Sequence, residues 1–417
     1  MWAAFVWIGL GCWLLTGHIA FDYKSGWLGL SDSMCGIALI LLSIFFLKSR
    51  EKWILWAVCL IGIWLEFAPL AFWAPTSAGY LGDTLVGILT IAFAILIPGT
   101  PLVDLDRPSE NPEGWSYNPS GWFQRLPIVF FGMVGWFISR YLAAYQLGYT
   151  QEVWDPFFGQ GTLHVVTSTV SKAFPVSDAG LGAFAYTLET LMACKGDASR
   201  WKTMPWMVIS FGILVVPLGL VSILLIILQP LVVGFWCGLC LITATAMMCM
   251  IALTVDEVVA VLQFLNRCCK QGKPFWRIFW QGEKATCKTS IGEKQSDSSI
   301  KGAFKKNVQM MTQGANIPWN LFLLILIGAY LMCAPAIQKF EGGLADSDHV
   351  IGALTIAIST IAAGEVVRSA RFVNILFGFW ILLSLPWLNF SQSIEILAVH
   401  LSLGIALIAL SLPKGRI

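Results

Sequence analysis

The stretch Trp236-Cys237-Gly238-Leu239-Cys240 lies inside an apolar run from Leu231 to Thr254. A run of that length crosses a bilayer as one helix. Two cysteines three residues apart on a helix share nearly one face and come within disulfide reach after a small local adjustment. One sulfur of such a pair attacks a bound partner and the other resolves the mixed disulfide, so the pair can cycle between dithiol and disulfide. Gly238 leaves the backbone between them free to adjust. Cysteines also serve as small packing residues in apolar helices, and the motif alone does not separate the two roles.

Outward from this run, the 417 residues are 57% hydrophobic and 12% charged. A soluble domain carries about twice that charge. The sequence therefore predicts an all-α polytopic membrane protein with about twelve transmembrane helices: 3–20, 34–47, 53–73, 80–98, 127–146, 179–194, 206–228, 231–254, 318–336, 350–363, 371–388 and 393–411. The first twenty residues lack a basic leader and a small-residue cleavage site, and read as a retained span. Apart from Cys237/Cys240 and the adjacent Cys268-Cys269, the eleven cysteines show no metal-ligand spacing, and no metal site is expected.

The two ends repeat one another. Ser31-Asp32-x-x-x-Gly36 matches Ser347-Asp348-x-x-x-Gly352, and Gly62-x-Trp64 matches Gly378-x-Trp380, at one offset of 316. Pro69 answers Pro386 and Gly87 answers Gly404, each displaced by one, and Pro98 and Pro413 close the copies. The pattern implies a central four-helix bundle flanked by two duplicated four-helix units. The expected boundaries are 1–105 for the first repeat, 106–124 for a linker, 125–265 for the bundle, 266–314 for a basic loop and 315–417 for the second repeat.

Charge sets the orientation. Basic residues gather at Lys48/Arg50/Lys52, at Lys195/Arg200/Lys202, at Arg368/Arg371, at Lys414/Arg416 and throughout 266–314. With twelve spans and both termini inside, all of these face the cytoplasm, and only Lys24, Lys172 and Lys339 lie outside. That topology suits a bacterial inner membrane. It accounts for the basic loop without nucleic-acid binding. Within that loop, Phe275–Trp280 reads as an amphipathic piece lying on the membrane surface.

In this orientation the 231–254 helix runs inward, with Cys237 and Cys240 about 9 and 13 Å below its outer edge. A thiol pair at that depth can meet both an exported protein and a lipid-soluble oxidant. Here the chain resembles the vitamin K epoxide reductase family over roughly residues 125–265. The resemblance rests on four helices, on Cys237-Gly238-Leu239-Cys240 opening the fourth, and on Gly161-Thr162-Leu163-His164-Val165-Val166-Thr167-Ser168 followed by Phe174-Pro175-Val176 and Gly180/Gly182. Ser168 matches the family's serine. The resemblance implies a quinone-linked thiol-disulfide oxidoreductase with Cys237 and Cys240 as its catalytic pair. It also implies a quinone site (ubiquinone or menaquinone) near Ser168, Trp236 and Ala244, and an exported thioredoxin-like thiol protein as partner. The chain departs from the family at two points. Thr162 stands where a relay cysteine is expected, with no cysteine between 147 and 193, and Ala244 stands where a tyrosine is common. The flanking copies, with their Gly-x-Trp and Pro386-Trp387 signatures, resemble the SPW-repeat membrane segments of bacteria.

A non-catalytic membrane scaffold is the main alternative function, since the relay is absent. A small-ion or solute transporter is the other. Arg140 and Glu189 fall at similar depths inside the bundle and are expected to pair, because lone charges in lipid are costly. His18, His164, His349 and His400 all fall in the outer half, where an ion site is conceivable. Asp32, Asp83 and Asp348 read more simply as N-caps at helix starts. Cys35 and Cys333 lie far enough out to stand in for the missing relay thiol, or to pack as small residues.

Overall fold

The computed structural model describes residues 2–96, 111–283, 311, 314, 317–385, 387 and 394–414. Among them the chain is all-α. The helices are α1 (Trp2–Ala20), α2 (Gly26–Ser49), α3 (Lys52–Ala71), α4 (Ser77–Leu96), α5 (Trp122–Gln146), α6 (Gly161–Val166), α7 (Asp178–Cys194), α8 (Arg200–Thr203), α9 (Pro205–Leu228), α10 (Gly238–Lys270), α11 (Phe275–Gln281), α12 (Trp319–Gln338), α13 (Gly343–Ile361), α14 (Val373–Ser384) and α15 (Ile394–Ser411). Among the described residues, ten of the twelve expected spans are long and apolar enough to cross a membrane. The other two, α7 and α14, have 17 and 12 residues. Most of the Lys-rich 266–314 loop, Pro98 and Pro386 lie outside the described residues.

The chain divides into two units, residues 1–106 with 132–196, and residues 107–131 with 197–417. The first unit contains α1 to α4, most of α5, and α7. Helix α2 begins earlier than its hydropathy suggests, because the Ser25 hydroxyl accepts the Leu28 N–H at 3.3 Å. It ends where Arg50 turns left-handed (φ 54°) and donates its N–H to Phe46. Consecutive helices approach so closely that a Cβ on Gly36 would sit 2.8 Å from the Gly11 carbonyl, and one on Gly87 2.8 Å from the Gly62 carbonyl. Trp7, Leu14, Leu39, Ile54, Val58 and Leu65 fill the space around these contacts.

The second unit repeats this plan in α12 to α15. A Cβ on Gly352 would lie 2.6 Å from the Gly328 carbonyl, and one on Gly404 3.1 Å from the Gly378 carbonyl. The matching tryptophans make matching bonds, as Trp64 Nε1 donates to Ser31 Oγ at 2.9 Å and Trp380 Nε1 to Ser347 Oγ at 2.9 Å.

Several expectations are corrected. Asp32, Asp83 and Asp348 are not N-caps: each is buried inside its helix, because α2, α4 and α13 all start upstream of them. The apolar run 231–254 is not one helix. After α9, residues Gln229–Val233 form a π turn, Gly234 turns left-handed (φ 75°), and the chain runs non-helically to Cys237 before α10 begins. At its other end α10 continues to Lys270, well past Thr254. It thereby buries Glu257 against Arg200, whose Nε and terminal nitrogen donate to the two carboxylate oxygens at 2.6 and 2.5 Å. Ser120 Oγ donates to the same carboxylate at 2.5 Å, and Tyr117 OH donates to Asp256 at 2.5 Å. Burial and the neighbouring Asp256 push the Tyr117 phenol above its usual range. Removing one partner of a buried ion pair costs about 3–5 kcal/mol. These bonds therefore tie the 117–125 segment and α8 to α10. Arg200, Lys202, Arg368 and Arg371, counted as loop charges in the sequence, are all buried. The Phe275–Trp280 segment lies in α11, with Ile278 packed under Trp201 and Val261 while Trp276 and Trp280 are exposed.

Candidate redox site

The site is a disulfide at the start of a long helix. Cys237 and Cys240 are bonded, with Cα atoms 5.2 Å apart. Cys237 is extended (φ −107°, ψ 108°) and caps α10, its sulfur receiving the Cys240 N–H at 3.0 Å. A residue at a helix N-terminus faces N–H groups that have no partner within the helix. Cys237 is 0% exposed. Cys240 is half-buried.

The break before the helix explains how the motif is presented. Pro230 stands just before the apolar run and Gly234 interrupts it, so α10 starts later than the hydropathy of the run suggests. The break frees backbone groups, and Gln229 closes them. Its backbone carbonyl accepts the Gly234 N–H at 2.9 Å, and its side-chain oxygen accepts the Cys237 N–H at 2.9 Å. Gln229 is itself buried. Sequence reading missed it, although a lone Gln in an apolar run is a visible signal. Trp236 is half-buried and meets the ring of His349 edge to face, with centroids 5.5 Å apart. Leu231, Val232 and Phe235 are exposed along the same segment. Ala244, one turn beyond Cys240, is buried in α10.

Thr162, Ser168, Arg140, Glu189 and Cys35 fall in the first unit. Thr162, at the relay position, is fully buried, and its hydroxyl donates to Asp155 Oδ2. Asp155 Oδ1 accepts the N–H groups of Phe157 and Phe158 at 2.8 and 3.1 Å. The position thus closes a loop rather than carrying a thiol. Ser168 Oγ accepts the Ser171 N–H at 3.3 Å. Gln146 braces this loop, donating to Val166, Ser171 and Asp178. A cavity of about 530 Å³ lined by Trp73, Gln146, Thr167, Lys172 and Asp178 opens beside it.

Arg140 and Glu189 do not pair. The Arg140 guanidinium donates to Thr84 at 3.1 Å, lies over the rings of Trp136 and Tyr80, and has Glu66 as its neighbouring carboxyl. The buried Glu189 carboxylate accepts no hydrogen bond among the described residues. Similar depth along their helices did not bring the two together, because depth fixes a layer but not the direction a side chain takes within it. Cys35 is half-buried against the core around Trp7, and Cys333 is exposed and unpaired. No group of three His, Cys, Asp or Glu side chains suited to a metal occurs among the described residues.

Helices long enough to span a membrane and a helix-capping C-x-x-C disulfide define a class, the multi-pass membrane proteins with a redox-capable thiol pair. Within the chain, residues 126–255 are a vitamin K epoxide reductase family domain and residues 318–414 an SPW repeat domain. The SPW match covers the C-terminal copy, and the shared glycine contacts and tryptophan–serine bonds relate residues 2–96 to it. No curated protein and no solved structure matches the chain.

Proposed function

We propose that this protein is a quinone-linked thiol-disulfide oxidoreductase of a bacterial inner membrane, with twelve spans and both termini cytoplasmic. Its domains would follow the boundaries expected from sequence: two SPW-like repeats around the 125–265 bundle. The single observation that carries the reading is the Cys237–Cys240 disulfide capping α10 inside the vitamin K epoxide reductase domain. In the first half-cycle an exported protein dithiol, held by a thioredoxin-like partner, gives two electrons and two protons to the pair. The partner becomes a disulfide, and Cys237 and Cys240 become thiols. A quinone, ubiquinone or menaquinone, accepts those electrons and protons and so restores the Cys237–Cys240 bond. The exposed Leu231, Val232 and Phe235 beside the pair offer an apolar approach for such a lipid-soluble ring.

The proposed division of labour follows chain direction. Cys237 precedes α10 and lies toward the outer end, where it meets the protein thiol; Cys240, one turn deeper, faces the quinone with Trp236 and Ala244 near it. The burial of Cys237 adds a requirement: the Gly234–Cys237 segment must open for a protein thiol to reach its sulfur. Cys240→Ala is expected to trap a mixed disulfide between Cys237 and the partner on non-reducing gels, while Cys237→Ala traps none. The scaffold reading draws on the buried Thr162 at the relay position. It gains if neither variant gives an adduct and both wild-type thiols stay reduced with quinone present.

A further inference from the structure

We infer that the C-terminal SPW repeat is a working wall of the disulfide site, with His349 as a positioning residue that holds Trp236 and, through it, the non-helical segment presenting Cys237. This deepens the redox reading above and rests on it.

The segment Gly234–Cys237 has no helical ladder of its own, so its shape depends on what grips it. From the α9 side, Gln229 holds Gly234 and Cys237 by two hydrogen bonds of 2.9 Å. A second grip comes from the repeat. His349 projects from α13, and its ring meets Trp236 at 5.5 Å with an interplanar angle of 69°. An edge-to-face contact of this kind is directional, so it fixes the indole rather than merely covering it. The Nδ1 of His349 is buried and has no hydrogen-bond partner among the described residues.

The wall is rigid where it meets the site. The residue before His349 is Asp348, whose carboxylate bonds His400 Nε2 at 2.8 Å and so pins α13 to α15. His400 Nδ1 faces the Ile396 carbonyl at 2.8 Å, which fixes the ring at its other nitrogen. Further along α13, Ala357 packs with Ile223 of α9 and Met248 of α10, joined by Leu354 and Ile356. Just beyond α13, a Cβ on Gly364 would stand 3.0 Å from the Ala252 carbonyl of α10. The repeat therefore touches both helices that flank the break, and His349 is delivered to Trp236 on an element that cannot drift independently.

The consequence for chemistry is one of sign. The disulfide needs Cys237 held one turn from Cys240, with the Cα atoms 5.2 Å apart. The dithiol has no such requirement, and the Gly234–Cys237 segment can relax. A grip on Trp236 therefore favours the disulfide over the dithiol. Loss of the ring contact should make the pair easier to reduce, by roughly two- to tenfold in the equilibrium constant, the range expected of one aromatic pair.

The test uses the full-length protein in detergent. The Cys237–Cys240 equilibrium is titrated with glutathione or dithiothreitol buffers and read by maleimide gel shift, with the other cysteines blocked beforehand. The wild type is compared with His349→Ala, His349→Phe and Trp236→Ala. His349→Ala and Trp236→Ala should shift the midpoint toward the dithiol by the same two- to tenfold, and His349→Phe, which keeps an aromatic edge, should restore most of it. Thermal melting of each variant separates this shift from a general loss of fold. A midpoint unchanged in His349→Ala overturns the inference, and so does a His349→Phe value equal to that of His349→Ala. The titration needs no quinone. A wild-type pair that titrates with glutathione but never exchanges with quinone would sink the redox function while leaving the positioning claim readable.

Discussion

In the N-terminal repeat Gly62 lies against Gly87 and Trp64 reaches Ser31; in the C-terminal repeat Gly378 lies against Gly404 and Trp380 reaches Ser347. The same skeleton then buries different chemistry. Asp348 of the C-terminal copy meets His400 at 2.8 Å. At the corresponding places the N-terminal copy has Asp32 and Asp83, both buried, whose oxygens have no hydrogen-bond partner among the described residues. Where Leu382 packs over Gly404, Glu66 packs over Gly87, with Arg140 of α5 beside it. One copy thus closes its buried acid with an internal base. The other buries two acids at the matching places. Duplication conserved the contacts that set helix distance and left the polar centre free to diverge.

That difference can be broken by substitution. The largest effect is expected for His400→Ala, which leaves the Asp348 carboxylate buried without its partner and should cost about 3–5 kcal/mol. Asp83→Ala should cost much less, because Asp32 loses only a like group. Thermal melting in detergent of the two variants checks this, and equal losses would mean the copies are electrostatically alike. Next come the shared glycines. Gly62→Ala and Gly378→Ala each place a methyl about 2.6 Å from a side chain, Ile91 and Ile408, and close to the facing carbonyl. Each should cost about 1–3 kcal/mol, whereas Gly9→Ala, with nothing within 4 Å, should be neutral or slightly stabilising. A large gap between the Gly62 and Gly378 variants would argue against a common skeleton. The smallest effect belongs to Trp64→Phe and Trp380→Phe. Each removes one side-chain hydrogen bond at a partly exposed tryptophan, about 0.5–1.5 kcal/mol, and the two losses should agree.

The duplication was legible because its marks are chemical: a glycine where backbones touch and a tryptophan that needs a partner leave fixed residues at fixed offsets. The C-x-x-C was legible for the same reason. Helix starts were not. Ser31-Asp32 and Ser347-Asp348 look like caps because they are polar, yet they sit a turn or more inside helices, where one partner is the tryptophan of the next helix and another is a buried acid or base. The break at Gly234–Cys237 was hidden by uniform hydropathy, since a π turn and an extended segment can be as apolar as a helix. The Arg140–Glu189 pairing failed because depth fixes a layer but not an azimuth. Glu257 was missed because its partner, Arg200, lies 57 residues away in sequence.

The central claim is that Cys237 and Cys240 are a working redox couple fed by the membrane quinone pool. The direct measurement is the redox state of the two cysteines in quinone-depleted membranes, by thiol-labelling gel shift after dithiothreitol reduction and removal, with and without added quinone. The account predicts that the reduced pair becomes unlabelled within the assay when quinone is present and stays labelled when it is absent. A pair that remains labelled in both conditions contradicts it.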